Sequence, residues 1–178
     1  HIFHIFFPGA REVLNLVNEY ELSPDISTYG CLSLCCKNPS HIYQMMRDLD
    51  SNNIIPNVQI MTPLIKSTND PKLMIILLKF IRRHNITVDA YLVRRVEKFY
   101  QVRRKLLVDY ESGVIEIDTL QKIAKSFAIK KDIENGLPIW KDFCSFYKKW
   151  QIEAEITLSE HPWNQFKTKR DKNKGRKH

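Results

Sequence analysis

One register of repetition governs this chain. Pro24-Asp25, Pro56-Asn57 and Val88-Asp89 stand 32 residues apart, each before an apolar-rich run. The same interval joins Asn38-Pro39 to Asp70-Pro71, Met45 to Leu77, Leu49 to Ile81, Asn53 to Asn85 and Ile54 to Ile86. A fixed period of this length means stacked supersecondary units, each unable to bury its apolar face alone.

One period spells two helices. Val58, Met61, Leu64 and Ile65 recur at helical spacing and predict a helix over 58–67. Asp70 is a good N-cap, and Pro71 suits the first helical position, where its missing N–H costs nothing. A second helix over 72–84 turns Leu73, Ile76, Leu77, Phe80 and Ile81 inward, and Asn85 follows where a left-handed residue commonly closes a helix. The preceding unit predicts helices over 26–36 and 40–52, closed by Asn53. Before it, residues 1–7 read as a helix remnant and 10–20 as its partner, with Val13, Leu14 and Val17 inward. The opening apolar run is too short to span a bilayer. The chain starts at His1, partway through a unit, and reads as a fragment.

A third unit opens at Asp89, with a first helix from Ala90 past Tyr100, but Ser112-Gly113 interrupts it. Asp118 and Gln121 suggest a capping box for a helix reaching Phe127. Asn135-Gly136 breaks the chain again, and Pro138 opens an aromatic helix to about Ala154. Ile139, Phe143, Phe146 and Trp150, widened by Trp140 and Tyr147, form a stripe read as a core that caps the stack. An RNA-stacking platform is the other reading of that stripe. The expected organisation is helical repeats over 1–110 (a partial unit 1–24, full units 25–56 and 57–88, an incomplete unit from 89), a helical cap over 111–160 and a basic tail over 161–178.

Charge separates the tail from the body. Of the net +8, +6 falls within residues 167–178, which hold seven Lys/Arg and one Asp. Such a tail is expected to be disordered and to attract any polyanion without choosing a sequence. The four cysteines, Cys31, Cys35, Cys36 and Cys144, lack a Cys-x-x-Cys pair or zinc-type histidine spacing, and read as packing residues. Cys31 and Cys35 are expected on one helix face. No phosphate loop, nucleophile elbow or His-Glu-x-x-His motif is present. The acidic residues are dispersed over helical faces, so no catalytic residue, metal, cofactor or small-molecule ligand is expected.

The segments "SPDISTYGCLSLC" and "IPNVQIMTPLIKS", with Tyr29 at an aromatic position, resemble the opening of units in the pentatricopeptide repeat family. The units here are slightly shorter than that family's usual length, and the signature of tetratricopeptide repeats is absent. A closer resemblance, to the C-terminal part of an animal mitochondrial member, is carried by "PNVQIMTPLI", Ile76–Lys79, "FYKKW" and "HPWNQFKTK". It is weak between Gln101 and Pro138. The family resemblance implies an all-α, right-handed superhelical solenoid of antiparallel helix pairs that binds RNA along the concave surface of its first helices. The closer one implies the mitochondrial matrix, with transfer RNA (notably leucine tRNA) and large-subunit ribosomal RNA as partners. It also implies a part in tRNA metabolism and ribosome assembly, beside RNA-processing enzymes or mitoribosomal proteins.

In such a family each base is read by the fifth and last residues of a unit, with the second residue packing on the base. Carried over, the first full unit offers Ser27, Gly30 and Asn57. Gly30 has no side chain with which to select a base. The next offers Gln59, Thr62 and Asp89, a Thr/Asp pair of the guanine type, and the third opens with Tyr91 and Arg94. Independently of the resemblance, Arg94, Lys98, Gln101 and Lys105 run along one helix face near Tyr91, with Arg95, Arg103 and Arg104 beside them. These suit stacking and phosphate contact; a solvated charged face is the bland reading. Lys167, Lys169 and Arg170 of the tail complete the expected RNA-binding set. The rival class is a protein-interaction scaffold, which the nearly balanced charge of the body favours.

Overall fold

The computed structural model describes residues 12, 15–17, 19–123 and 127–159, and among them every regular element is helical. In chain order these are α1 (Ile26–Ser33), α2 (Pro39–Ser51), α3 (Val58–Ser67), α4 (Pro71–Arg83), α5 (Ala90–Glu111), α6 (Ile117–Ile123), α7 (Phe127–Glu134) and α8 (Pro138–Ser159). The tail and the first ten residues lie outside the described set.

The 32-residue register reappears in the helix ends. Asp25, Asn57 and Asp89 each cap a first helix, accepting the backbone N–H of Thr28 at 2.8 Å, Ile60 at 3.1 Å and Leu92 at 2.7 Å. Asn38 and Asp70 cap the second helices, receiving His41 N–H at 3.0 Å and Lys72 N–H at 2.9 Å, with proline in the first turn of both. These side chains satisfy N–H groups that a helix start leaves without an intrahelical partner. At the far ends Asn53 (φ +54°) and Asn85 (φ +50°) adopt the left-handed conformation. Just beyond them Ile54 N–H reaches Leu49 O at 2.9 Å, and Ile86 N–H reaches Ile81 O at 3.0 Å. Glu21 (φ +50°) with Leu22 N–H on Val17 O at 2.8 Å repeats this closure one period earlier.

Packing follows the same register. Met45 and Leu77 are wholly buried, as are Ile42, Met74 and Leu49, while Ile81 is nearly so. The first helices stand in a row, α1 on α3 and α3 on α5, and each of α1 and α3 also packs on the helix that follows it. Tyr29 is buried in this core, and its hydroxyl accepts Asn52 Nδ2–H at 2.9 Å.

Several boundaries differ from the sequence reading. Helix α1 stops at Ser33, so Cys35 lies in the following turn, off the helix face of Cys31. Asp118 caps nothing: α6 starts at Ile117, and its first N–H groups turn back to Glu116 O. Helix α7 was not expected. The largest difference concerns the third unit, which has a partner for its first helix after all. Helix α8 packs against both α5 and α4, taking the place of a second helix although it arrives late in the chain. Between them α5 runs on to Glu111, and its second half joins α6 and α7 in a separate small core of Leu107, Leu120, Ile129, Ile133, Leu137 and Trp140. Leu137 enters α8 at φ +63°, an unfavourable conformation held by complete burial of its side chain.

The aromatic stripe of α8 is core. Phe143, Tyr147 and Trp150 are buried in the main cluster, Tyr147 stacking on Tyr100 at 4.3 Å and Phe143 meeting Phe99 edge-on at 5.1 Å. Buried rings of this kind are not a platform for stacking bases.

Candidate nucleic-acid interface

Because α1, α3 and α5 lie side by side, residues 32 apart on them form rows across the stack. Ser27, Gln59 and Tyr91 make one such row, and all three are exposed, Tyr91 at 59%. Gly30, Thr62 and Arg94 make the next: Gly30 and Thr62 are half-buried and Arg94 is exposed. A Cβ added at Gly30 would meet nothing within 4 Å, so that position is an opening in the surface. A third row, Leu34 just past the end of α1 with Lys66 and Lys98, is exposed throughout. The rows are thus open to solvent while residues one helical step away are core.

Asn57 and Asp89 have a structural role at the ends of these rows. Each lends a side-chain oxygen to the first turn of its helix, and both are half-buried. The cap explains why Asp or Asn is required there. A carboxylate has a second oxygen, so capping leaves Asp89 with acceptor capacity.

Positive charge rises along the stack. Helix α1 has no Lys or Arg, α3 has Lys66, and α5 has Arg94, Arg95, Lys98, Arg103, Arg104 and Lys105. The ion pairs among the described residues are Arg82–Glu153, Arg83–Asp50, His84–Asp50 and Lys141–Glu111. None involves the six cations of α5. The first three link the C-terminal ends of α2 and α4 to each other and to Glu153 of α8 at solvent-accessible sites, where such pairs contribute little stability.

Arg103 stands apart from its neighbours in a way the sequence did not signal. Its guanidinium lies 3.6 Å above the Phe99 ring and donates to Asn69 O at 3.0 Å. Loss of water, with Arg95 nearby, pushes its pKa down to about 10, so the group stays protonated at neutral pH. Arg95, Lys98, Phe99, Val102 and Arg103 share one face of α5 and, with Ile65, Thr68 and Asn69, line a cavity of about 100 Å³. A second cavity of about 470 Å³ adjoins it, sharing Thr68, Asn69, Val102 and Arg103 and reaching Lys37 and Trp140. Lys105 and Arg104 face elsewhere, lining a groove with Glu97, Tyr100 and Gln101. Arg94, Lys98, Gln101 and Lys105, at i, i+4, i+7 and i+11, lie along one exposed stripe of α5 between the cleft and this groove. Lys167, Lys169 and Arg170 lie outside the described residues.

The cysteine thiols are free. Burial pushes Cys36 up to about 12 and raises Cys144, which keeps both protonated and unreactive. Among the described residues no three His, Cys, Asp or Glu side chains gather as metal ligands, and no helix is long and apolar enough to cross a membrane.

The chain is similar to pentatricopeptide repeat-containing protein 1, mitochondrial, of rat, mouse and human. Each is 23% identical over 164 residues, or 90% of this chain. The match covers 21% of the rat and mouse proteins and 20% of the human one, so the chain spans about a fifth of their length. No protein-family model and no solved structure matches the chain. Similarity over nearly the whole chain, together with the 32-residue helix-pair register, supports a relationship to the pentatricopeptide repeat proteins.

Proposed function

We propose, on that relationship, that the chain is an RNA-binding helical-repeat segment of a mitochondrial protein. Binding rather than catalysis is its activity. The observation that carries this reading is the set of solvent-open rows on α1, α3 and α5, charged increasingly toward α5. Single-stranded RNA laid across the first helices would meet Ser27, Gln59 and Tyr91 in one row and Gly30, Thr62 and Arg94 in the next, with Asn57 and Asp89 at their ends. Tyr91 supplies a ring for stacking and Arg94 a cation for phosphate. The right-handed superhelix expected of such repeats would make this surface concave. In the finer form of the proposal the compartment is the matrix. The RNAs are then leucine tRNA and large-subunit ribosomal RNA, and the service is to tRNA metabolism and ribosome assembly.

The test is binding of short RNAs that differ at one base. Thr62→Ala with Asp89→Ala should relax discrimination at a single nucleotide, by about 1–3 kcal/mol against the preferred base. Arg94→Ala should weaken binding to every sequence alike. Equal losses for all four bases in the double variant would leave Asp89 a helix cap alone and refute base reading at this row.

A further inference from the structure

We propose that the cleft between the α3–α4 turn and α5 is a site for a backbone phosphate of single-stranded RNA, with Arg95, Lys98 and Arg103 as its ligands. The RNA source of the phosphate rests on the function proposed above; the phosphate site itself rests on the cleft.

Three cations converge on one small cavity without a carboxylate partner among the described residues. Arg103 is half-buried, and its one acceptor among the described residues, Asn69 O, engages a single N–H of the five that a guanidinium carries. Stacking on Phe99 fixes the plane of the group, which favours two-point recognition of a phosphate over a loose ion cloud. Arg95 and Lys98, eight and five residues N-terminal to it on α5, line the same cavity. Like charges held this close repel one another, and an anion in the cavity would reverse that cost.

Size and surroundings narrow the ligand. About 100 Å³ holds on the order of three waters, enough for a phosphate group. Of the residues lining the two adjoining cavities only Asp70 is a carboxylate, and one of its oxygens already receives Lys72 N–H at 2.9 Å. Lys98 belongs both to the cleft and to the exposed row of Leu34 and Lys66. A strand crossing the first helices therefore passes the mouth of the cleft, which favours a phosphodiester over a free phosphate compound.

The experiment compares the whole chain with Arg95→Gln/Lys98→Gln, and with Lys148→Gln/Lys149→Gln on exposed α8 positions as a charge-matched control. Fluorescence anisotropy follows a labelled single-stranded RNA of mixed sequence over a salt series. A single-stranded backbone gives a log K against log salt slope of about −0.7 per phosphate neutralised, so losing the one phosphate held in the cleft should flatten the slope by up to roughly 0.7. Affinity should fall alike for RNAs differing at one base, and the control should keep the wild-type slope. Arg103→Lys, which keeps the charge but loses the fork, should fall between wild type and the double variant.

Equal slopes for the cleft variant and wild type would overturn the cleft while leaving the row reading intact. If the wild-type chain binds no RNA, the row reading falls, and inorganic pyrophosphate decides the cleft. A Tm raised by pyrophosphate in wild type but not in Arg95→Gln/Lys98→Gln would retain a phosphate site fed by a small phosphorylated compound. No rise would overturn it.

Discussion

Replacing Leu77 by alanine tests the repeat register directly. Leu77 is the counterpart of Met45, lies in the middle of α4 and has no exposed surface. Its neighbours come from more than one element, because α4 packs on both α3 and α8. The change deletes three carbon atoms, worth roughly 2.4 kcal/mol at about 0.8 kcal/mol each. The cavity left behind adds a further cost, since rigid helices collapse only in part, giving about 3–4 kcal/mol within the usual 2–5 for such changes. Urea unfolding followed by far-ultraviolet circular dichroism would measure it. Ile55→Ala, at 70% exposure, serves as the comparison and should shift stability by less than about 0.5 kcal/mol. A Leu77→Ala loss below that same figure would mean that α4 presents another face to the core and that the register is wrong.

Two further outcomes follow from the helix ends and the buried thiol. Asn85 sits at φ +50°, so Asn85→Gly should be near neutral, while Asn85→Val should cost about 1–2 kcal/mol by the same unfolding assay; equal effects would deny the left-handed closure. Cys36, fully buried with its pKa pushed to about 12, should resist alkylation at pH 8 while exposed Cys31 reacts, as mass spectrometry of labelled peptides would show. The unfolded thiol titrates near the ordinary 9.0, so above pH 9 the unfolded state binds fewer protons than the folded one. This contribution to stability is complete below pH 9 and falls as pH rises toward 12, a decline that Cys36→Ala should remove.

The parts legible in the sequence are those that short-range chemistry decides. Asp25, Asn57 and Asp89 cap as their position before an apolar run foretells, and Asn53 and Asn85 close helices because few other residues tolerate positive φ. The burial of Met45, Leu49, Leu77 and Ile81 follows from period and spacing. What was missed depends on distance. That α8 returns to pack on α4 and α5 cannot be read from local pattern, since α6 and α7 intervene and carry a small core of their own. The site behaves likewise: the exposed rows follow from the register, whereas the capture of Arg103 by Phe99 and Asn69 joins a helix to a turn 34 residues earlier.

The same register explains why α5 ends the row of first helices. Ser33, Ile65 and Glu97 occupy equivalent positions; Ser33 and Ile65 are buried, and Ile65 lines the cleft that α5 closes. Their side of each helix is therefore the one that faces the next unit. At Glu97 that side turns polar: it lines a groove with Gln101, Arg104, Lys105 and Asp109, and Gln101 donates to Glu97 at 3.1 Å. An apolar residue there would offer the flank on which another first helix could stack, and the end of a repeat array needs the opposite. The hydroxyl-bearing ring of Tyr100, at the position of Cys36 and Thr68, then fills the edge by stacking on Tyr147 of α8. Helix α8 thus buries the apolar side of α4 and α5, and the polar flank of α5 leaves its other side suited to water.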